Sequence, residues 1–434
     1  MAGLDLQRIR QSKLARNAGW MLAGQGFKLA VQAVYFTAIA RSLGVERYGA
    51  FVGVVGLVGI FAPFGSLGSG YLLIKNVACD RARFRENWGA ALQTTLLSSS
   101  LLFGFVLLLS RFLLPAAIPP KLVAFVAGSD LFGISVVGIC GQAFVAFERM
   151  KWTAAFNVLQ SASRMTAAIG LAACKSHPSA QLWASFYFVS TLVVAVIAVF
   201  VVMVKLGYPK FESRRTLAEV REGLYFSINR SAETVYNDID KTMLARLGTL
   251  EATGIYGAAY RLIDVSFAPV WSLLAAAYPN LFRVGAEGIS STLRYAKPLL
   301  IRALAYATFL GFMVVAFAGI VHHVLGGEYQ RSEEALRWLA MLPLFRTIHL
   351  FLSDVLSGAG HQGLRTAIHV GVAIFNVLIN LWVIPAYSWR GAAWSSIASD
   401  ALLAFAVATA VLLALRRSAS LRADTKALQV GAEA

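Results

Sequence analysis

Charge is scarce in this chain. Asp, Glu, Lys and Arg make up 14% of its 434 residues, against roughly 25% in a soluble domain. A soluble protein this long would divide into about three domains, and so few charges cannot cover three polar surfaces. That excludes a soluble enzyme and a disordered scaffold. Cysteine is scarce too. Cys79, Cys140 and Cys174 are odd in number and far apart, with no CxxC. This excludes a secreted disulfide module and gives no metal site. The chain has no GxxxxGK[ST]; Gly65, Gly68 and Gly70 do not form one. No P-loop and no other cofactor motif is expected, so an ion gradient, the membrane potential or a substrate gradient must supply the energy. GxSxG and HExxH are also absent, and the outer connections are too short to build a catalytic pocket. That argues against a glycan polymerase or ligase, and for a protein that is not an enzyme.

What is abundant is apolar sequence, 58% of the chain. One membrane crossing needs about 20 apolar residues. Twelve runs qualify, at 17–42, 48–73, 88–114, 121–147, 152–174, 181–204, 221–247, 254–282, 297–325, 335–358, 363–386 and 391–415. Lipid leaves backbone groups no partner but each other, and runs such as Leu101–Leu109 lack the alternation of barrel strands. The expected fold is therefore an all-α integral membrane protein of about twelve transmembrane helices.

The net charge of +17 would suggest nucleic acid in a soluble protein. Here it fits cytoplasmic loops that collect Lys and Arg. With the N-terminus inside, more than half of the 39 Lys and Arg residues lie on inner segments and about a quarter on outer ones. Both termini are then cytoplasmic. Most tryptophans, Trp88 and Trp183 among them, lie near span ends, as an interfacial belt requires. Trp271, in mid-span, is expected to be buried. Lys28 interrupts the first apolar run, which is too long for a signal peptide, so the first span is read as uncleaved.

The longest polar connection, 205–220, separates six spans from six. It divides a cytoplasmic tail (1–16) and an N-lobe (17–204) from a C-lobe (221–415) and a second tail (416–434). The halves echo each other. Tyr48-Gly49-Ala50 and Phe61-Ala62-Pro63 return as Tyr256-Gly257-Ala258 and Phe267-Ala268-Pro269. An even number of spans per half implies parallel repeats. Pro63 and Pro269 then become paired hinge candidates, since proline removes a helical hydrogen bond.

Ionisable residues inside a membrane are costly and mark candidate sites. Lys28, Arg164, Arg230 and Arg346 lie near the centres of spans 1, 5, 7 and 10. Helical spacing gathers polar groups around them: Gln25 and Gln32 beside Lys28, Asn157 and Gln160 beside Arg164, and Asn237 on the span of Arg230. Arg346, His349, Ser353 and Asp354 share a face of span 10, and His369, Asn376 and Asn380 one of span 11. Such stripes describe a wet, cationic cavity suited to an anionic, polyhydroxylated solute. Arg would clamp phosphate, and Asn and Gln would meet sugar hydroxyls. Glu233, Asp240 and Asp264 are candidates for coupling a proton or sodium ion.

Two segments carry a family resemblance. Ala40-Arg41-Ser42-Leu43-Gly44-Val45-Glu46-Arg47-Tyr48-Gly49-Ala50-Phe51, followed by Gly65-Ser66-Leu67-Gly68, resembles the opening of the polysaccharide transporter family, the O-antigen flippases. Ile239-Asp240-Lys241-Thr242-Met243-Leu244, then Gly254-Ile255-Tyr256-Gly257-Ala258-Ala259-Tyr260-Arg261, resembles the start of that family's second half. The same superfamily holds multidrug and toxin extrusion (MATE) pumps and lipid II flippases; the latter usually have fourteen spans. The resemblance implies a MATE-like fold, two six-helix lobes around a central cavity. It implies a flippase moving an undecaprenyl-diphosphate-linked oligosaccharide across a bacterial inner membrane by alternating access, for O-antigen, capsule or exopolysaccharide. The partners expected are the lipid-linked oligosaccharide, membrane lipid, a proton or sodium ion and components of a polymerase or export complex. The competing readings are an ion-coupled drug or cation antiporter using Glu233, Asp264 and Asp400, a glycan polymerase or ligase, and a non-transporting assembly partner.

Overall fold

The computed structural model describes the backbone of residues 2–174, 178–211 and 217–433. Side chains are described within those ranges except at 2–30, 174, 217–219, 225–226, 229–230, 232–233, 279 and 419–433. Among the described residues there are helices and connections but no strand. The helices are α1 (Ala2–Gly65), α2 (Ser69–Cys79), α3 (Phe84–Leu113), α4 (Pro120–Ala127), a π-helical turn (Gly128–Ile134), α5 (Ser135–Ala146), α6 (Met150–Cys174), α7 (Ala180–Lys205), α8 (Leu217–Leu247) and α9 (Leu250–Ser266). They continue with α10 (Ala268–Gly285), α11 (Ile289–Phe317), α12 (Val321–Leu325), α13 (Gln330–Leu339), α14 (Leu342–Gly358) and α15 (Gln362–Glu433).

Among the described residues, six helical stretches are long and apolar enough to cross a membrane. Two of them, Val31–Cys79 with 49 residues and Gln362–Ser418 with 57, are long enough for two crossings each. Each contains a non-helical residue, Gly44 (φ 74°) in α1 and Ser388 (φ 54°) in α15. Helices α6 and α8 fall below the apolar threshold, because they carry Asn157, Gln160 and Arg164, and Asn237, Asp238, Asp240 and Lys241. The chain is a multi-pass membrane protein. On α3, Leu97, Leu101, Phe105, Leu108 and Phe112 are exposed at spacings of three and four, which marks a face turned to lipid. Trp88 and Trp183, expected in an interfacial belt, are fully buried, whereas Trp271, expected to be buried, is exposed. A position near a span end does not decide whether a ring meets headgroups or a neighbouring helix.

The chain forms two compact units. One is Met1–Gly257 with Val324–Glu328; the other is Ala258–His323 with Tyr329–Ala434. The division falls inside α9, beyond the polar connection 205–220.

In the first unit, α1 packs on α6 and on α8. Small residues make the second approach possible. Against α8, a Cβ on Gly53 would lie 2.7 Å from the Ala245 Cβ; against α9, a Cβ on Gly49 would lie 1.8 Å from the Leu250 carbonyl oxygen and one on Gly254 1.9 Å from that of Val45. The two Tyr-Gly-Ala segments of the repeat thus belong to helices pressed together backbone to backbone. Thr242 donates to the Gly53 carbonyl across the seam between α1 and α8. At the break in α1, the Val45 amide donates to Glu328 at 2.9 Å, and Gly44 supplies the positive φ. An aromatic and aliphatic core around Trp88, Phe144, Phe156 and Val194 joins α3, α5, α6 and α7. In the second unit, Phe267, Val270, Leu274, Ala303, Leu350 and Phe351 form a core between α10, α11 and α14.

Pro63 lies within α1, two residues before its end. The turn that follows places Leu67 and Gly68 at positive φ. Pro269 stands in the first turn of α10, just after the break at Phe267. Both prolines therefore border a helix interruption, and at the first turn of a helix proline costs no hydrogen bond.

Candidate functional site

Two arginines organise the polar interior, one in each unit: Arg164, half-buried, and Arg346, buried. In the first unit, Arg164 projects from α6. Its Nη2 stands 3.5 Å from Asp130 Oδ1 and donates to Thr191 Oγ1 at 3.3 Å. Its guanidinium lies 3.9 Å from the centre of the Tyr187 ring, close enough for a cation–π interaction. Tyr187 donates its hydroxyl to Asp130 at 2.9 Å, and Gln160 and Ser129 both donate to Thr191. Asp130 sits in the π-helical turn, where the widened ring re-aims a side chain. The expected neighbours Gln160 and Arg164 are thus brought together on Thr191. Asn157 is half-buried one turn earlier on α6, and its backbone carbonyl accepts from Ser161.

In the second unit, Arg346 projects from α14 and is only 5% exposed. It donates to Asp264 Oδ1 at 2.9 Å and to the Tyr260 hydroxyl at 2.6 Å, both on α9. Its Nε lies 3.6 Å from Asp400 Oδ2 on α15, and its guanidinium faces the Tyr260 and Phe267 rings at 5.3 and 5.9 Å. His349 Nε2 is 3.5 Å from Asp400 Oδ1. The polar chain continues from His349 to His369, ring centres 6.3 Å apart, then to Ser353 at 3.0 Å from His369 Nε2. Nearby, Arg365 pairs with Asp354 and donates to Ser357.

The remaining candidates fall differently. Asp240 is buried and accepts the Tyr256 hydroxyl. Lys241 pairs with Asp238 and donates to the Asn237 carbonyl. Asn376 and Asn380, expected to line a cavity, are fully buried. Asn376 donates to Ser399 and Asn380 to Asn376, while Ser395 donates to Asn380. They stitch the two arms of α15 together, an interhelical use of polar residues in membranes. Gln32 is half-buried on α1. The side chains of Gln25, Lys28, Arg230 and Glu233 lie outside the described residues.

Sequence spacing found Arg164 and Arg346 but not their partners. Neither arginine has a carboxylate within four residues; Asp130, Asp264 and Asp400 arrive from other helices. Tyr187 and Tyr260 were missed because an aromatic residue in a membrane helix looks like packing. Tyr260 and Asp264 are four apart on α9, a spacing that puts both on one face and could have pointed to a shared partner.

Comparison with known proteins agrees with this architecture. The family model of polysaccharide biosynthesis proteins matches residues 14–284. An uncharacterized membrane protein of Methanocaldococcus jannaschii is 22% identical over 222 residues, which is 48% of this chain. The match spans 44% of that relative's own length. Among solved structures, an inward-facing multidrug resistance MATE family transporter of the MOP superfamily aligns with a TM-score of 0.72 at 14% identity. The alignment covers 91% of this chain and 95% of that one. The lipid II flippase MurJ, in an inward closed conformation, aligns at 0.70 and 12% identity, covering 90% and 87%. The chain has a MATE-like fold and belongs to the polysaccharide biosynthesis protein family.

Proposed function

We propose that this protein is a flippase that carries a lipid-linked oligosaccharide, an undecaprenyl-diphosphate-bound repeat unit, across the bacterial inner membrane for surface polysaccharide synthesis. The observation that carries the reading is the family match over 14–284; the MATE-like fold supports it. Both termini are cytoplasmic, and the polar connection 205–220 links an N-lobe to a C-lobe. The prenyl tail stays in lipid while diphosphate and glycan cross on polar side chains. Arg346, with Lys28, Arg164 and Arg230, replaces water around the phosphates. Asp264, whose side chain is 37% exposed, is the carboxylate that an incoming phosphate displaces from Arg346, because a bidentate guanidinium–phosphate pair takes the same donors. Pro63 and Pro269 mark the flexing points. Membrane lipid and the polymerase or export machinery are its partners.

A second reading, an ion-coupled cation antiporter of the same superfamily, is favoured by the two carboxylates on Arg346. Mass spectrometry of lipid-linked glycans in a deletion strain separates the two. Accumulation of a complete undecaprenyl-diphosphate repeat unit with loss of surface polysaccharide is the expected result. No accumulation, together with new sensitivity to cationic drugs, would replace the flippase with the antiporter.

A further inference from the structure

We propose that Asp400, backed by His349, is a proton-binding site that sets how much of the Arg346 charge is left for an anionic ligand. The inference deepens the flippase reading and rests on it only for the identity of that ligand. Arg346 is in contact with two carboxylates, Asp264 and Asp400. With both ionised and His349 neutral, the group holds one surplus negative charge. Neutralising a buried surplus charge is cheaper than keeping it out of water.

The geometry says where the proton goes. Arg346 gives its two short bonds to Asp264 and Tyr260. Asp264 is also open enough to be solvated, whereas Asp400 is 2% exposed. Asp400 is left with Arg346 Nε at 3.6 Å and His349 Nε2 at 3.5 Å. Its Oδ2 has no hydrogen-bond partner among the described residues, and neither does Arg346 Nε. A carboxylate so poorly matched is the one that takes the proton. The groups facing it are Arg346 and His349 on α14. Asp264 and Tyr260 on α9 reach it through Arg346, and His369 on α15 reaches it through His349. Arg365 and Asp354 neutralise each other beside them. The chain His349–His369–Ser353 supplies exchangeable hydrogens leading away from the site.

Protonation of Asp400 leaves Arg346 with one carboxylate instead of two. Its positive charge then becomes available to an anion, so proton and anion bind together rather than in competition. By linkage, anion binding takes up a proton.

The test uses the full-length protein in nanodiscs. Infrared pH-difference spectra of the native protein should contain a carboxylic acid band that Asp400→Asn removes and Asp354→Asn retains. His349→Gln, which keeps Asp400, should shift the pH at which that band appears. A band unchanged in Asp400→Asn overturns the proposal, as does the absence of any native band that His349→Gln can shift. Undecaprenyl diphosphate is then added in weak buffer. Uptake of about one proton per bound molecule, lost in Asp400→Asn, supports the coupling; proton release on binding overturns it. If undecaprenyl diphosphate does not bind but the Asp400 band behaves as described, the proton site stands and the diphosphate reading falls.

Discussion

The two arginine clusters are built from the same parts and balance differently. Arg164 meets the Asp130 carboxylate and lies over the Tyr187 ring. Arg346 has two carboxylates, Asp264 and Asp400, with the Tyr260 hydroxyl and a histidine beside them. In the first cluster Arg164 pairs with Asp130, and hydroxyls from Ser129, Thr191 and Tyr187 join them. The second carries a negative surplus and a carboxylate oxygen without a hydrogen bond. A neutral, hydrogen-bonded pair needs nothing more to be stable. An unbalanced one responds to whatever brings charge to it. In the proposed cycle the second cluster is the one that changes charge, while the first, besides offering Arg164 to phosphate, also holds α6 and α7 on the π-helical turn.

The largest expected effect breaks the first cluster. Asp130→Ala removes both the carboxylate beside Arg164 and the acceptor of the Tyr187 hydroxyl and should destabilise the protein by about 3–5 kcal/mol; the fall in thermal midpoint of detergent-purified protein measures it. Adding Arg164→Met to Asp130→Ala should recover most of that stability, because the Arg164 charge is gone. If the double variant is as unstable as the single one, the pair is not the cause.

Removing one carboxylate from the second cluster should cost less. Asp264→Asn leaves Arg346 paired with Asp400, so a loss of no more than about 1–2 kcal/mol is expected, with binding of anions strengthened. Equal destabilisation by Asp264→Asn and Asp130→Ala would erase the distinction between the clusters. Tyr187→Phe removes the hydroxyl that donates to Asp130, Tyr260→Phe removes the hydroxyl that accepts from Arg346, and both keep the ring beside the arginine. A cost of about 1–2 kcal/mol is expected for each, and thermal midpoints of the two variants should fall alike.

The smallest effect is expected at the exposed pair Lys75–Glu222, 2.8 Å apart. Glu222 holds the Lys75 ammonium above its ordinary pKa through their hydrogen bond. The pair therefore adds to stability below the ordinary lysine pKa, and the contribution fades as pH rises through the raised value. Solvent screening keeps it slight, so Glu222→Gln should leave the thermal midpoint unchanged at neutral pH.

Much of the fold was legible because lipid is a simple solvent. Long apolar runs, helical by necessity, gave the helices, and Tyr48-Gly49-Ala50 and Tyr256-Gly257-Ala258 marked segments that pack tightly. Depth in a span also singled out Arg164 and Arg346. What spacing along one helix could not reveal was pairing between helices. Asp130 meets Arg164 from another helix, and Asp400 reaches Arg346 from 54 positions along the chain. Asn376 and Asn380 show the converse error. Their polar stripe faces the other arm of α15 rather than an open surface, and a stripe looks the same in either setting. Trp271 was misplaced for a related reason, since mid-span position says nothing about which side of the helix meets lipid.

The most direct test of the central claim is flipping by purified protein. Proteoliposomes holding an undecaprenyl-diphosphate-linked oligosaccharide would be probed from outside with a glycosidase, with native protein or Arg346→Gln. The account predicts that native protein exposes the inner-leaflet half of the oligosaccharide to the enzyme, and that Arg346→Gln, folded to the same thermal midpoint within a few degrees, exposes little more than empty vesicles do. Native vesicles that protect the inner-leaflet oligosaccharide as fully as protein-free ones would contradict it.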